Sequence, residues 1–292
     1  MDWLNKIISL YLEISEYYES TLQYFCQRFS NNNMPAFTDQ EVITIYLMGI
    51  IEGLRKIKDI YQHAKGYWND LFPALPSYAA FNHRLNRLEN VFPVLLEYYQ
   101  DKLPLTVYDP MNYRVVDSMP IVMAQNNRRF KASVAQELAD KGGYCVAKRL
   151  YYYGVKLHVL ASYRVGSMPV PESIGLTHAC MHDSKAYELL CNEQKIRQYT
   201  KFGDKAYSAS RETNTYTPVK KEKGQEYLDT ADQLYSTAVS RIRQPIESMN
   251  NWIQEKTGIE IASKVRSTKG LLVHVFGRLC AAFELLLQKY CA

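Results

Sequence analysis

Helical periodicity of apolar residues dominates the first hundred positions of this 292-residue chain. Thr38 and Glu41 stand three residues apart in the pattern of a capping box, which predicts a helix start. Behind them Val42, Ile45 and Met48 recur at the spacing of a helix that buries one face. We therefore expect an all-helical region at the amino-terminal end.

A second start signal follows Pro76, where Ser77 stands in position to cap a helix. The apolar side of that helix carries Tyr78, Phe81, Leu85 and Leu88. The other side carries Asn82, His83, Arg84, Asn86 and Arg87. A short polar helix after a turn is typical of the recognition helix of a DNA-binding helix-turn-helix. The alternative is that these polar residues form an ordinary solvated face.

Past residue 112 the pattern changes to short runs rich in β-branched and aromatic residues, which predict strands. Residues 124–149 are polar and basic, and Gly142-Gly143 argues against a helix, so a mobile excursion is expected there. The predicted strands are 113–116, 151–161, 172–177, 198–203 and 215–219. Helices are predicted from a cap at Asp183 or Ser184, over about 236–258, and over 269–289.

Elements in this order predict an α/β fold, with a mixed sheet flanked by helices and preceded by the all-helical region. The segment 101–112, which contains two prolines, is the predicted boundary. We accordingly divide the chain into a helical, helix-turn-helix-like region, 1–105, and a second domain, 106–292.

Three carboxylates occupy notable places in this predicted domain. Asp117 ends the first predicted strand, Asp204 ends the fourth, and Glu247 lies on the basic helix that follows. Active sites of open α/β sheets gather at the carboxyl ends of strands, so the three side chains are expected to converge. Carboxylates gathered in this way hold pairs of divalent cations that cut and join phosphodiesters. Each acid alone has an ordinary alternative: a turn cap, a turn residue and a solvated helix residue.

Charge is distributed unevenly along the chain, whose formal net charge is +5. The first 100 residues have a net charge of −3 and the remainder +8, which favours a polyanionic partner. The chain contains 24 tyrosines, a residue type that suits a nucleic-acid groove. A bias in genomic composition would explain this number equally well. Tyr207 and Trp252 are candidates for stacking on unpaired bases, with core packing the equal alternative for Trp252. The candidate DNA contacts are Arg84, Arg87, Lys148, Arg149, Lys205, Arg241, Arg243, Lys256, Lys264 and Arg266.

The six cysteines contain no C-x-x-C pair, so neither a zinc ribbon nor a disulfide framework is indicated. The amino-terminal residues lack the pattern of a signal peptide, and no uncharged apolar stretch reaches the ~18 residues of a membrane span. We expect a cytoplasmic protein with no membrane partner.

Five ordered motifs resemble those of the DDE transposases of bacterial insertion sequences, whose catalytic domain is ribonuclease H-like. They are Val116-Asp117-Ser118-Met119-Pro120, Tyr153-Gly154-Val155-Lys156-Leu157-His158, Leu176-Thr177 with His182-Asp183-Ser184, Phe202-Gly203-Asp204-Lys205-Ala206-Tyr207, and Arg243-Gln244-Pro245-Ile246-Glu247. The likeness extends from about Thr38 to the end of the chain. The run 137–142 together with 151–156 resembles the nine-eight-two group of these transposases.

This resemblance implies an enzyme that binds terminal inverted repeats through its helical region, cleaves DNA at the element ends and performs strand transfer. It implies two Mg²⁺ ions, for which Mn²⁺ substitutes, with Asp117 bridging both while Asp204 and Glu247 each hold one. Because two ends must be brought together, a homodimer is expected, acting on double-stranded element and target DNA at the bacterial nucleoid. The alternatives are a stand-alone metal-dependent nuclease of the same fold and a non-catalytic DNA-binding descendant.

Overall fold

The computed structural model describes residues 3–28, 35–103, 112–191, 198–210 and 214–290. The chain divides into two compact units. The first comprises Met1–Leu103, Ile253–Ile259 and Lys264–Ala292, and the second comprises Pro104–Trp252 and Glu260–Ser263. Most of the predicted boundary segment, 104–111, lies outside the described residues.

Helices dominate the first unit. They are α1 (Trp3–Ser20), α2 (Asp39–Ile51), α3 (Ile57–Tyr67), α4 (Tyr78–Asn86), α5 (Val91–Lys102) and the last helix of the chain, α8 (Thr268–Tyr290). The capping box predicted for α2 is present, because Thr38 and Glu41 each accept a hydrogen bond from the other's backbone amide. Ser77 caps α4 through the amide of Ala80. Both predicted helix starts are confirmed.

The last helix packs against α2 and α5 inside the first unit. The Tyr46 hydroxyl donates to the Val273 carbonyl at 3.3 Å, and the Cys280 thiol donates to the Phe92 carbonyl at 3.2 Å. The sequence boundary grouped this helix with the second domain, whereas its apolar side is buried among the helices of the first unit. By length and composition alone Thr268–Lys289 is apolar enough to cross a membrane, but 78% of that window is buried inside the protein.

The second unit is built on a six-stranded mixed sheet, accompanied by α6 (Asp183–Leu190) and most of α7 (Thr230–Thr257). Its strands are β1 (Tyr113–Gln125), β2 (Asp140–Cys145), β3 (Leu150–Ser162), β4 (Val170–His178), β5 (Thr200–Phe202) and β6 (Thr215–Tyr216). One edge of β3 pairs antiparallel with β1, and the other pairs antiparallel with β2 and then β4. On the far side of β1, β5 and β6 follow in parallel. This is the order of a ribonuclease H-like sheet, so the predicted fold class is confirmed.

The first strand is longer than predicted, since β1 continues past Asp117 to Gln125. Pro120 does not interrupt the strand because its nitrogen faces away from β3. The Val122 amide donates to the Glu260 carbonyl at 2.7 Å, on the side of β1 away from β3. The Pro120 nitrogen, two residues earlier, faces the same side, where β5 pairs with β1 only as far as Val115. The missing N–H therefore costs no bond in the β1–β3 ladder.

The excursion predicted at 124–149 contains regular structure instead. It holds a 3₁₀ turn, Asn126–Phe130, and then β2, which pairs with the first residues of β3. Gly143 fits this strand because a Cβ there would lie only 2.6 Å from the Tyr152 ring and 2.8 Å from Ala179. The two glycines thus permit close strand packing, where the sequence suggested a loop.

Smaller differences concern the ends of elements. His182 caps α6, not Asp183 or Ser184, because its side chain accepts from the Ser184 amide. The helix carrying Glu247 begins earlier than predicted, at Thr230, and β6 is only two residues long.

Candidate active site

The sheet register aligns two of the three predicted acids. Val115 of β1 is the parallel partner of Phe202 of β5. Asp117 and Asp204 each follow their member of this pair by two residues, and Asp204 keeps an extended backbone. Residues two apart share a face of a strand, and neighbouring strands lie about 4.8 Å apart. The two acids are therefore neighbours where the parallel pair ends.

The turn after β5 holds Asp204 in place. Its Oδ1 accepts a hydrogen bond from the Ala206 amide at 2.8 Å and so caps the 3₁₀ turn Lys205–Ala209. Gly203 precedes it because a Cβ there would approach the Tyr207 ring to 2.8 Å and Val116 to 3.0 Å. The glycine lets this turn sit tightly against β1.

Tyr207 is a core residue. It is 2% exposed and packs edge to face on Tyr187, with ring centroids 5.3 Å apart. With its ring enclosed, Tyr207 has no face for a nucleic-acid base, so the expected stacking role is wrong. Trp252 is half-buried.

Helix α7 brings the third acid towards the site. Ile246 is fully buried on its inner face, which sets the rotation of the helix. That rotation leaves Arg243, Glu247 and Asn250 along an adjacent face, at intervals of four and three residues. Asn250 Nδ2 donates to Asp117 Oδ2 at 3.0 Å, and Arg243 forms an ion pair with Glu247. Asn250 was missed from the sequence, because only the fold shows its partner.

The charges of the three acids reach one another. Burial raises the pKa of Asp117 to about 7. The negative charges of Asp204 and Glu247 act in the same direction, while the nearby Arg243 guanidinium opposes them. Asp117 thus lies within electrostatic range of both other predicted acids.

The chemistry of these donors fits a divalent cation. They are carboxylate oxygens, which Mg²⁺ prefers, and their mutual repulsion favours a positive charge among them. As they stand, each acid is engaged by a neighbouring amide or guanidinium group. Within the described ranges, no three or more His, Cys, Asp and Glu side chains form a group that could hold a metal ion. The acids are therefore gathered, but their present side-chain positions do not form a coordination shell.

A second polar cluster lies on the other face of β1, starting at Ser118. Oδ1 of Asp183 accepts from Ser118 Oγ and from Lys156 Nζ, both at 3.1 Å. His158 Nδ1 lies 3.8 Å from the same oxygen, and burial lowers the pKa of His158 to about 4, so the ring is neutral at pH 7. These side chains come from three of the resembling motifs, and they tie β1, β3 and α6 together beside Asp117.

The predicted DNA contacts fall into two groups. In one, a carboxylate already pairs with the cation: Arg84 with Asp39, Lys148 with Glu260, Arg243 with Glu247, and Lys256 with Glu255. In the other, the side chain belongs to an exposed residue: Arg87, Arg149, Lys205, Arg241, Lys264 and Arg266. Arg84 is the most enclosed, because its guanidinium also donates to the Cys26 carbonyl at 3.2 Å.

Sequence reasoning missed an exposed aromatic and basic surface formed by the β2–β3 hairpin and the 3₁₀ turn that precedes it. We call Arg129, Phe130, Tyr144 and Tyr151 the hairpin surface. Its three rings are 60%, 42% and 55% exposed in chain order. The Arg129 guanidinium lies 4.3 Å from the centroid of Phe130 and 4.8 Å from that of Tyr151. Exposed rings beside cations suit bases and phosphates. The interleaved aromatic and basic residues between 128 and 151 were the available signal.

Acids grouped where the parallel strands of a ribonuclease H-like sheet end define the class of this protein: an α/β protein with a carboxylate site on that sheet. A family model described as transposase DDE domain matches residues 110–283. The chain belongs to this transposase DDE-domain family, whose members act on DNA and generally use divalent metal ions. Comparisons with curated proteins and with solved structures gave no match. The nine-eight-two group stays a prediction.

Proposed function

We propose that this chain is an insertion-sequence transposase that cleaves DNA at the ends of its element and joins those ends to target DNA. The observation that carries the proposal is the parallel register that aligns Asp117 with Asp204, with Glu247 in electrostatic range. Family membership over 110–283 supports the same kind of activity.

In this proposal Asp117, Asp204 and Glu247 are the ligands of two Mg²⁺ ions, with Mn²⁺ as a substitute. The ions, when bound, would activate the attacking oxygen and stabilise the leaving 3′ oxygen. Glu247 must first exchange its ion pair with Arg243 for a bond to a metal ion. That exchange costs little, because an i,i+4 helix pair contributes about 0.3–0.5 kcal/mol. The released Arg243 guanidinium would then be available to a DNA phosphate.

The DNA would be held by cationic residues around the acidic site. In the second unit, the exposed Arg149, Lys205 and Arg241 would contact phosphates, and the hairpin surface would contact unpaired bases. In the helical region 1–105, the exposed Arg87 directly follows α4 and would serve terminal-repeat recognition better than the enclosed Arg84. A homodimer would hold two element ends together, in the cytoplasm at the nucleoid.

An assay with pre-nicked terminal DNA, a target plasmid and Mg²⁺ tests the proposal. Joined product is expected for the transposase, whereas cleavage without joining would identify a stand-alone nuclease. Neither product, with DNA binding intact, would identify a non-catalytic descendant. The presence of all three acids favours an enzyme over that descendant.

Asp204→Asn is the matched variant for the metal site. Removing the charge should abolish cleavage and joining while DNA binding, measured by fluorescence anisotropy, is preserved. Asp70→Asn makes the same chemical change at an exposed position and should act like the wild type. Cleavage that persists in Asp204→Asn would sink the assignment of the acids.

A further inference from the structure

Asn250 is a buried polar residue with one of its two polar atoms unused. The residue is 6% exposed, and its Nδ2 donates to Asp117 Oδ2 at 3.0 Å. Its Oδ1 is buried and has no hydrogen-bond partner among the described residues. A buried acceptor without a hydrogen bond destabilises a folded protein, so such an atom requires an explanation.

The position of this oxygen suggests what it is for. Nδ2 and Oδ1 belong to one planar amide, so Oδ1 must lie beside the Asp117 carboxylate. On the same side of α7, Arg243 Nε is also buried without a partner in the part of the chain that the structure describes. An unused acceptor and an unused donor therefore flank Glu247 along the helix. Together they match a ligand that carries both a hydroxyl proton and a charged oxygen.

We infer that Asn250 is a positioning residue that links Asp117 to the attacking hydroxyl group. Its Nδ2 fixes the Asp117 carboxylate, and its Oδ1 accepts a hydrogen bond from a water during cleavage or from a 3′-hydroxyl during joining. This inference rests on the proposed transposase activity. The amide neither gains nor loses a proton and acts only through orientation.

The bond changes of the reaction balance without any further reactant. In cleavage, the water oxygen bonds to phosphorus, the bond from phosphorus to the 3′ oxygen breaks, and one water proton ends on that 3′ oxygen. In joining, the 3′-hydroxyl takes the place of water, and the 3′ oxygen that leaves the target strand receives the proton. Asn250 Oδ1 accepts a hydrogen bond from the attacking water or hydroxyl group. This bond orients a lone pair of the attacking oxygen towards phosphorus.

Asn250→Leu and Asn251→Leu form a matched pair for the test. Leucine removes the hydrogen bond from Nδ2 to Asp117 and the proposed acceptor Oδ1, whereas Asn251 is the next residue on the same helix and is exposed. We expect Asn250→Leu to lower the kcat of end cleavage by about 10- to 100-fold, as loss of a ligand-orienting partner does. The Kd for terminal DNA should stay unchanged, and Asn251→Leu should match the wild type in both.

Calorimetric titration of the DNA-free protein with Mn²⁺ gives a second readout that needs no turnover. If Nδ2 orients Asp117, Asn250→Leu should bind Mn²⁺ about 10-fold more weakly than Asn251→Leu. Thermal unfolding identifies any variant that fails to fold, and Asn250→Ala then replaces Asn250→Leu.

A folded Asn250→Leu protein with wild-type kcat and wild-type Mn²⁺ affinity would show that Asn250 only packs α7, and would overturn the inference. A wild-type protein that binds Mn²⁺ but never cleaves DNA refutes the proposed function instead. In that case the Mn²⁺ titration still decides whether Asn250 orients Asp117.

Discussion

Each of the two units contains an aspartate with a shifted pKa, and the two aspartates have opposite surroundings. Asp39 in the first unit is 4% exposed and forms ion pairs with Arg28 and Arg84. Asp117 in the second unit is half-buried and has the neutral Asn250 as a side-chain partner, and the charges that act on its pKa include those of Arg243, Asp204 and Glu247. Positive charge is in excess around the first acid, and negative charge is in excess around the second.

The two pKa values shift in opposite directions as a result. Burial alone would raise the pKa of Asp39, but hydrogen bonds from Arg84 and Arg28 outweigh it and hold that pKa below its usual value. Burial raises the pKa of Asp117 to about 7, and the neighbouring acids add to the shift. A fully compensated acid stabilises the fold, whereas an under-compensated acid marks a place for chemistry. The same residue type thus serves two purposes.

The largest effect should come from Asp117→Asn. We expect single-turnover cleavage to fall by about a thousandfold or more, because Asp117 is a metal ligand in the proposed function and its loss would forfeit several kcal/mol of transition-state stabilisation. The free energy of unfolding should stay the same or rise, since a repelled charge is removed. Urea unfolding at pH 7 measures the second quantity, and a strongly destabilised Asp117→Asn protein would break the contrast with Asp39.

Asp39→Asn should reverse that outcome. Removing one partner of a buried ion pair costs about 3–5 kcal/mol, because the guanidinium groups of Arg28 and Arg84 lose their compensating charge. Urea unfolding should show this loss, and Asp70→Asn serves as the exposed control. If Asp39→Asn unfolds at the same urea concentration as the wild type, the ion pairs of Asp39 with Arg28 and Arg84 do not stabilise the fold.

The pH dependence of stability should separate the two acids by sign. An unfolded aspartate has a pKa of about 3.9. Asp39, with its lowered folded pKa, contributes stability that is complete above that value and is lost as the pH falls through the folded pKa. Asp117, with its raised folded pKa, makes the cation-free protein less stable as the pH rises from about 4 to about 7.

Unfolding free energies measured in chelator between pH 3 and pH 8 would test these signs. Asp39→Asn should flatten the acid limb, and Asp117→Asn should flatten the decline towards neutral pH. A decline of the same slope in Asp117→Asn would assign it to another group.

The smallest effect is expected from Arg243→Gln. The Glu247 side chain is 48% exposed, so loss of this i,i+4 pair should change the free energy of unfolding by about 0.3–0.5 kcal/mol. Arg84→Gln should cost several times more, because it leaves Asp39 with one guanidinium in a buried site. Thermal unfolding of the two variants compares them directly, and equal losses would mean that burial of the acidic partner does not distinguish the two ion pairs.

Local signals in the sequence predicted most of the elements correctly. Thr38 and Ser77 identified helix starts because a cap depends only on residues three positions away. The aromatic run of β3 identified its strand for a similar reason. The length of β1 was not predictable, because whether Pro120 breaks a ladder depends on which side of the strand its nitrogen faces.

The candidate site depends more on distant partners. The motifs around Asp117 and Asp204 predicted that both acids lie at strand ends. The parallel register of Val115 and Phe202 agrees with that prediction. Asn250 carried no sequence signal, since its meaning comes from Asp117, 133 positions away. The sequence likewise suggested that Arg84 contacts DNA, because it lies on a polar helix face. Its ion pair with Asp39 depends on the fold and could not be predicted from the sequence.

The parallel register around Val115 and Phe202 sets limits on how such a chain tolerates changes in length. Each acid is counted from its own member of the pair, so insertions in the connections between β1 and β5 leave their alignment intact. A single residue inserted between Val115 and Asp117, or between Phe202 and Asp204, would turn one carboxylate towards the opposite face of the sheet. The connections between β1 and β5 can therefore vary in length, whereas the spacings from Val115 to Asp117 and from Phe202 to Asp204 cannot.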